Sequence, residues 1–184
     1  MTRTKNFTRE DVLEKAVPLF WKKGFAQTSV HDLETATGVN KSGLYSEFEN
    51  KEELYLASLS YYLDERRCGE WLTQTPLGWN NIENFLNQAE YRSREMHGCL
   101  MVFAIREIPI LSREAQEKVV KHHNAIRSRV LKNLEAELPG EKAERIADLI
   151  MVLFSGIALL HNFCKRKEPV QLSVSDFMGL IKSL

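Results

Sequence analysis

The 184-residue sequence is poor in cysteine, proline and glycine, with 3, 5 and 9 of them. Three widely spaced cysteines exclude a disulfide framework and a paired C-x-x-C zinc site, and they fit the reducing cytoplasm. The longest apolar stretch, 149–160, is shorter than the roughly 18–20 residues needed to cross a bilayer, so no membrane span is expected. The N-terminus, MTRTKNFTRED, becomes charged before an apolar run can form, and no secretory signal peptide is expected.

An excess of charge of one sign is also missing, because 25 Lys and Arg balance 25 Asp and Glu. Proteins that bind nucleic acid usually carry excess positive charge, since cations that neutralise phosphates release counterions. Any contact with DNA must therefore come from locally placed charge. With 43% hydrophobic residues, the composition is that of a globular protein and excludes a disordered chain.

The dominant pattern in the sequence is the helical spacing of its apolar residues. Apolar residues recur at i, i+3 and i+4 almost throughout, and no window alternates as a strand would, which predicts an all-α fold of about nine helices. The segment 68–81, with Pro76, Gly78 and clustered polar residues, is the best linker candidate. The predicted helices span 8–24, 29–38, 41–48 and 50–67, and then about 81–95, 98–108, 112–137, 142–165 and 173–183.

Two short helices joined by a tight turn at Gly38 indicate a helix-turn-helix. In this motif the first helix braces the second, whose N-terminal side chains enter the major groove of DNA. Asn40, Lys41, Ser42 and Gly43 begin the second helix, where side chains and backbone N–H groups can reach phosphates and base edges. The alternative is a surface helix with ordinary caps.

The same region contains the strings L-F…G-F…T-S-V-x-D-L and G-V-N-K-S-G-L-Y-x-x-F-x-N-K-E-E-L. With them, residues 7–59 resemble the tetracycline-repressor (TetR) family of bacterial transcriptional regulators. The resemblance implies a homodimer with a three-helix DNA-binding head, residues 1–49, and a ligand-binding and dimerisation body, residues 50–184. It also implies a repressor that binds a pseudo-palindromic double-stranded operator and is released by a small-molecule effector.

The resemblance further implies which residues contact phosphates or bases. They are Thr28, Ser29, Asn40, Lys41, Ser42, Gly43, Tyr45, Ser46 and Lys51. Glu47 departs from the basic or neutral residue of many relatives. It can accept a hydrogen bond from a cytosine amine, or it can point at solvent or pair with Lys51. We expect Arg3 and Lys5 to lie in an arm that either reaches the DNA or stays unbound.

The body offers candidate ligand contacts in Cys99, Phe103 and Phe154, although the same residue types also describe a helical core. Cys99 lies near the start of a helix and close to His97, so it is either a redox- or electrophile-sensing thiol or a small buried residue. An enzyme built on these two residues would lack a third orienting group, so no enzymatic activity and no cofactor are expected. No metal is expected either, because the adjacent His122 and His123 point about 100° apart on a helix.

The helix predicted over about 142–165 is apolar on more sides than one core-facing stripe requires, which implies a second buried surface. With the final helix, about 173–184, it matches the position of the family's dimer interface, and the alternative is a wholly intramolecular core. Because of the zero net charge and Glu47, a further alternative remains, namely a protein-interaction module whose head no longer binds DNA.

Overall fold

The computed structural model describes residues 7–66, 69–96, 99–163 and 173–184, with the side chains of all but 64–66, 90–96 and 161–163. Nine α-helices and two short 3₁₀ helices, Glu70–Thr73 and Ile108–Ile110, form the regular structure of these residues, and none of them lies in a strand. The α-helices are α1 (Arg9–Gln27), α2 (Val30–Thr37), α3 (Lys41–Glu47), α4 (Lys51–Arg66), α5 (Trp79–Met96), α6 (Leu100–Glu107), α7 (Arg113–Glu135), α8 (Gly140–Phe163) and α9 (Val174–Ser183). The all-α prediction is confirmed, and no helix within the described ranges is both long and apolar enough to cross a membrane.

Capping residues set the helix boundaries that the sequence predicted. Thr8, Ser29 and Ser173 each accept a hydrogen bond from the backbone N–H of an aspartate three residues later, and each aspartate carboxylate accepts one from the backbone N–H of its cap. Such a capping box satisfies two N–H groups that a helix start leaves free. Gly38 ends α2 with a left-handed backbone, φ 74°, which glycine adopts without strain.

The described residues of Met1–Arg67 and Phe103–Val120 form one compact unit, called here the first unit. Within it α1 packs against α2 and α4. Phe20 and Tyr55 meet edge-to-face at 5.0 Å and are both fully buried. The N-terminal helices therefore pack around a common buried core.

The second unit comprises the described residues of Cys68–Val102 and Lys121–Leu184. Its core joins α5, α7, α8 and α9, and the fully buried side chains include Ile82, Leu86, Val130, Leu134 and Ile150. The Arg127 guanidinium of α7 donates to Asp148 at 2.7 Å and to Glu144 at 2.6 Å, which ties α7 to α8. The functional division at residue 49 is not tested by this grouping and stays a prediction.

The expectation that 68–81 is a linker is wrong for its described part, because buried side chains anchor this part in the second unit although most of its residues are exposed. Leu72 and Asn81 are 2% and 3% exposed. The Asn133 carboxamide oxygen accepts from the Gly78 backbone N–H at 3.0 Å and from the Asn81 amide at 2.9 Å, and its nitrogen donates to the Leu72 carbonyl at 2.8 Å. The proline, glycine and polar residues of this segment thus form a turn that is hydrogen-bonded to the buried Asn133 side chain.

Candidate nucleic-acid interface

The predicted helix-turn-helix is present as α2, the turn at Gly38 and α3. Leu33, Leu44 and Phe48 are each 1% exposed and hold the inner faces of the two short helices against the core. The Lys15 ammonium of α1 donates to the Thr37 carbonyl at 3.2 Å, at the end of α2. Because apolar packing fixes one side of α3, its remaining side faces outward.

The outward side of α3 is polar. Asn40, Lys41, Ser42, Tyr45 and Ser46 are all exposed. Asn40 is partly used by the fold, because its carboxamide oxygen caps α3 by accepting from Gly43 N–H at 2.8 Å. The Lys41 ammonium lies 5.9 Å from the centre of the Tyr45 ring, so a cation and a phenol share one patch.

Gly43 lets α3 approach the turn before it closely. A Cβ atom added there would lie 2.6 Å from a Val39 methyl group and 3.3 Å from the Phe7 ring. Val39 is 7% exposed, so its methyl group has little room to move aside. Glycine at this position therefore serves packing as well as any contact with DNA.

Thr28 and Lys51 were predicted to contact DNA, and the structure places both in internal hydrogen bonds. Thr28 is 1% exposed, and its hydroxyl donates to the Gly24 carbonyl at 2.6 Å. The Lys51 ammonium donates to the Phe25 and Thr28 carbonyls at 2.9 Å each and lies 4.3 Å from the Phe25 ring centre. These contacts hold the turn that precedes α2, and direct contact of the two residues with DNA stays a prediction.

Ser29 lies at the exposed start of α2, where its hydroxyl accepts from Asp32 N–H at 3.1 Å. Lys23 donates to the Asp32 carboxylate at 2.6 Å. This bond and the bonds from Ser29 hold the pKa of the Asp32 carboxyl far below its ordinary value. Asp32 therefore stays ionised and keeps the cap of α2 closed at any physiological pH.

Acidic side chains also lie close to α3. The Glu34 carboxylate accepts from the backbone N–H of Lys41 at 2.5 Å. Glu47 is half-buried and Glu49 is exposed. Negative charge beside the proposed DNA-facing surface opposes phosphate binding, so the affinity must depend on the placement of the few cations there.

Arg9 and Glu107 contact residues of this region and were not predicted from the sequence. The Arg9 guanidinium donates to the carbonyl of Glu47 at the end of α3, and it pairs with Glu53 at 3.1 Å. Glu107, the last residue of α6, accepts from the backbone of Phe25. Both contacts join residues 38 or more positions apart, and no local pattern in the sequence carries that information.

The three candidate ligand residues are placed as follows. Cys99 and Phe103 are buried, at 9% and 7% exposed. Phe154 is half-buried and stacks on Phe85 with ring centres 5.0 Å apart. Cys99 and Phe154 belong to the second unit and Phe103 to the first, and contact of each residue with a ligand stays a prediction.

Several other residues named from the sequence lie outside the described residues. They are Arg3, Lys5 and His97, together with two of the three widely spaced cysteines, Cys68 and Cys164. In the part of the chain that the structure describes, no group of three or more His, Cys, Asp or Glu side chains is arranged to hold a metal ion. A groove of about 590 Å³ in the first unit, between α1, α4 and the start of α7, is lined by five glutamates and by none of the candidate ligand residues.

Comparison with known proteins agrees with the helix-turn-helix described above. A family model for bacterial regulatory proteins of the tetR family matches residues 12–58. The HTH-type transcriptional repressor ComR of Escherichia coli (strain K12) is 48% identical over 62 residues, 34% of this chain and 30% of ComR. The chain thus spans less than a third of that relative's length in this match. The HTH-type transcriptional repressor BdcR of the same organism is 23% identical over 168 residues, 85% of this chain and 80% of BdcR.

A solved structure shows that the fold is shared along nearly the whole chain. It is a cysteine-substituted form of the TetR family transcriptional regulator CifR in complex with a 26-base-pair operator DNA. It superposes with a TM-score of 0.76 at 19% identity and covers 98% of this chain and 97% of CifR. The two relatives are named as transcriptional repressors, which agrees with the prediction that the chain is not an enzyme.

Proposed function

We propose that the chain is a DNA-binding transcriptional repressor of the tetR family of bacterial regulatory proteins, whose family model matches residues 12–58. It acts in the bacterial cytoplasm, binds a pseudo-palindromic operator as a homodimer, and is released by a small-molecule effector. The observation that carries the proposal is the exposed polar face of α3, held on a helix-turn-helix whose inner face is buried.

Lys41 and Tyr45 are the principal contacts in this proposal. Lys41 is an exposed cation on the first turn of α3, and Tyr45 lies one turn later, 38% exposed. A lysine neutralises a phosphate, and a tyrosine hydroxyl donates a hydrogen bond to one. Ser42 and Ser46 lie on the same exposed side, where hydroxyl groups reach base edges or phosphates.

The homodimer forms through α8 and α9 in this proposal. Leu149, Val152 and Leu160 lie on α8 at helical spacing and are 43%, 69% and 44% exposed, and Leu180 of α9 is 60% exposed. Large apolar side chains exposed in this way are typical of interfaces. A Cβ added at Gly156, between Val152 and Leu160, would meet nothing within 4 Å, so a second helix can approach closely there.

For the effector, Cys99 and Phe154 are candidate contacts in the second unit and Phe103 is a candidate contact in the first unit. The support is chemical: a thiol and two aromatic rings suit an apolar or weakly polar small molecule. A ligand that lowers the affinity for DNA must itself bind less tightly to the DNA-bound protein. Effector and operator are therefore expected to compete.

Selection on fragmented genomic DNA tests the proposed function. Purified protein is incubated with fragments from the source organism, the bound fragments are sequenced, and the affinity for the most enriched fragment is measured against salt concentration. Enrichment of a two-fold-symmetric sequence is expected. For Lys41→Ala the slope of log affinity against log salt should be smaller by about one, since one phosphate contact is lost.

Lys121→Ala is the matched control, because Lys121 is an exposed cation on α7, away from the helix-turn-helix in sequence. Its affinity and salt slope should equal those of the wild type. Absence of enrichment at low salt, or equal slopes for Lys41→Ala and wild type, would contradict the proposal. Either result would favour a protein-interaction module whose head does not read DNA.

A further inference from the structure

The turn that precedes the helix-turn-helix begins with a break in α1. Gly24 has φ 77° and ψ 174°, which are not helical values, and the chain turns there before Ser29 caps α2. A Cβ atom at Gly24 would lie 2.7 Å from a carboxylate oxygen of Glu107. Glu107 therefore lies directly against the break.

The Glu107 carboxylate binds the donors of this turn. Its oxygens accept from the backbone N–H of Phe25 at 2.8 Å and from that of Ala26 at 3.0 Å. The buried Tyr55 of α4 donates its hydroxyl to the same carboxylate at 3.2 Å. A break in a helix deprives N–H groups of their intrahelical acceptors, and a charged acceptor replaces them strongly.

Lys51 binds the acceptors of the same turn. Its ammonium donates to the carbonyls of Phe25 and Thr28. Lys51 and Tyr55 are four residues apart on α4, so one face of that helix contacts both the turn and Glu107. The turn 24–28 is thus held by a carboxylate on its N–H groups and by an ammonium on its carbonyls, directly before Ser29.

We propose that Glu107 is a positioning residue for DNA binding. By holding the N–H groups of Phe25 and Ala26 it orients the turn 24–28, and this orientation presents Ser29 and the start of α2 to the phosphates. Glu107 acts through the turn and does not contact DNA itself. The inference rests on the proposed function above.

Glu107→Gln tests the inference. The substitution keeps one acceptor oxygen and places an amide donor where the second oxygen met a backbone N–H. Three quantities are measured: affinity for the enriched fragment, the salt slope, and hydrogen exchange of peptides covering 24–34. The affinity is expected to fall about tenfold, because a charged hydrogen-bond acceptor is lost. The salt slope should decrease, and exchange should accelerate in 24–34 alone.

Two variants separate positioning from general stability. Tyr55→Phe removes one bond to Glu107 but leaves both backbone bonds, so its affinity and exchange in 24–34 should stay near those of the wild type. Glu137→Gln alters another carboxylate that accepts a backbone N–H, from Trp79 at 3.4 Å in the second unit, and should leave DNA binding unchanged. The inference would be overturned if, across Glu107→Gln, Tyr55→Phe and Glu137→Gln, the loss of DNA affinity simply paralleled the loss in melting temperature.

Glu107→Asp keeps both oxygens on a shorter side chain, in case the glutamine variant does not fold. Its affinity and exchange are expected between those of Glu107→Gln and wild type, and wild-type values for both would overturn the inference. If the wild type binds and Glu107→Gln binds equally well, this inference fails and the proposed function stands. If the wild type binds no fragment, both fail.

Discussion

Arg9 lies over the ring of Phe48, with its guanidinium carbon 4.1 Å from the ring centre. Arg9 is the first residue of α1, and Phe48 is the residue that ends α3. The same guanidinium donates to the Glu47 carbonyl and pairs with Glu53 of α4. One side chain thus joins the beginning of α1 to the end of the helix proposed to read DNA.

Arg9→Met should loosen the end of α3. The cation–π contact and the exposed ion pair are together worth about 1 kcal/mol, and the free energy of unfolding should fall by that amount. Affinity for the operator fragment should also fall, because the end of α3 loses its support. Urea denaturation and a DNA titration measure the two effects.

Arg113→Met is the control for Arg9→Met. Its side chain is 93% exposed and pairs with Glu117 four residues later. Such a pair contributes about 0.5 kcal/mol or less, and DNA affinity should not change. Equal stability and equal affinity in the two variants would contradict the role given to Arg9.

Asn133→Ala should destabilise the second unit strongly. Asn133 is fully buried, and its loss leaves the Gly78 N–H, the Asn81 amide and the Leu72 carbonyl with fewer partners. Unpaired buried polar groups cost about 1–3 kcal/mol each, so a loss of several kcal/mol is expected. Urea denaturation measures it, and the exposed Asn124→Ala on the same helix should stay within about 0.5 kcal/mol of wild type. A small effect at Asn133 would refute the packing described for 69–81.

His122 should make stability depend on pH. Burial, aided by the charges of Arg129 and His123, lowers its pKa from 6.5 to about 4. Between these two values the unfolded chain binds a proton that the folded chain does not. The contribution of neutral His122 to the free energy of unfolding is therefore fully present above pH 6.5 and is lost as the pH falls from 6.5 toward 4. Below pH 4 it changes no further.

His122→Gln should therefore flatten the dependence of the unfolding free energy on pH between 6.5 and 4. Urea denaturation at pH 7.5, 6 and 5 measures this slope. Asn124→Gln, at an exposed position on the same helix, is the control and should keep the wild-type slope. An unchanged slope for His122→Gln would show that other groups set the acid sensitivity.

Val152→Glu should weaken the proposed dimer. Val152 is 69% exposed, so a glutamate there is harmless to a monomer but places a charge in an apolar interface. Light scattering coupled to gel filtration should show a shift toward the monomer mass. Lys121→Glu, an exposed change on α7, should keep the wild-type mass. A dimer unaffected by Val152→Glu would place the interface elsewhere.

The sequence predicted the helices of this fold well because their ends are local chemistry. Ser29 and Asp32 lie three residues apart and bind each other, and Gly38 supplies the left-handed turn, so the pattern contains the whole cause. The polar face of α3 was predictable for the same reason. Its spacing follows from the helix period alone.

The failures all involve contacts between distant residues. Asn133 contacts the turn at Gly78 from 55 positions away, and Glu107 contacts Phe25 from 82. Neither residue type indicates burial or a backbone partner, since most Asn and Glu side chains are exposed. The family resemblance implied a DNA contact for Lys51, which stays a prediction, and only the packing of α4 shows that its ammonium donates to the Phe25 and Thr28 carbonyls.

Gly43 has a consequence for how a mutational scan of the head is interpreted. In a saturation screen scored by operator binding, variants at Gly43 and at Lys41 would both register as losses. A side chain at Gly43 pushes against Val39, so those variants would also unfold at lower temperature, whereas Lys41 variants would keep the wild-type melting point. Sorting the binding-deficient variants by melting temperature would therefore divide the head into the residues that read DNA and the residues that give α3 its position.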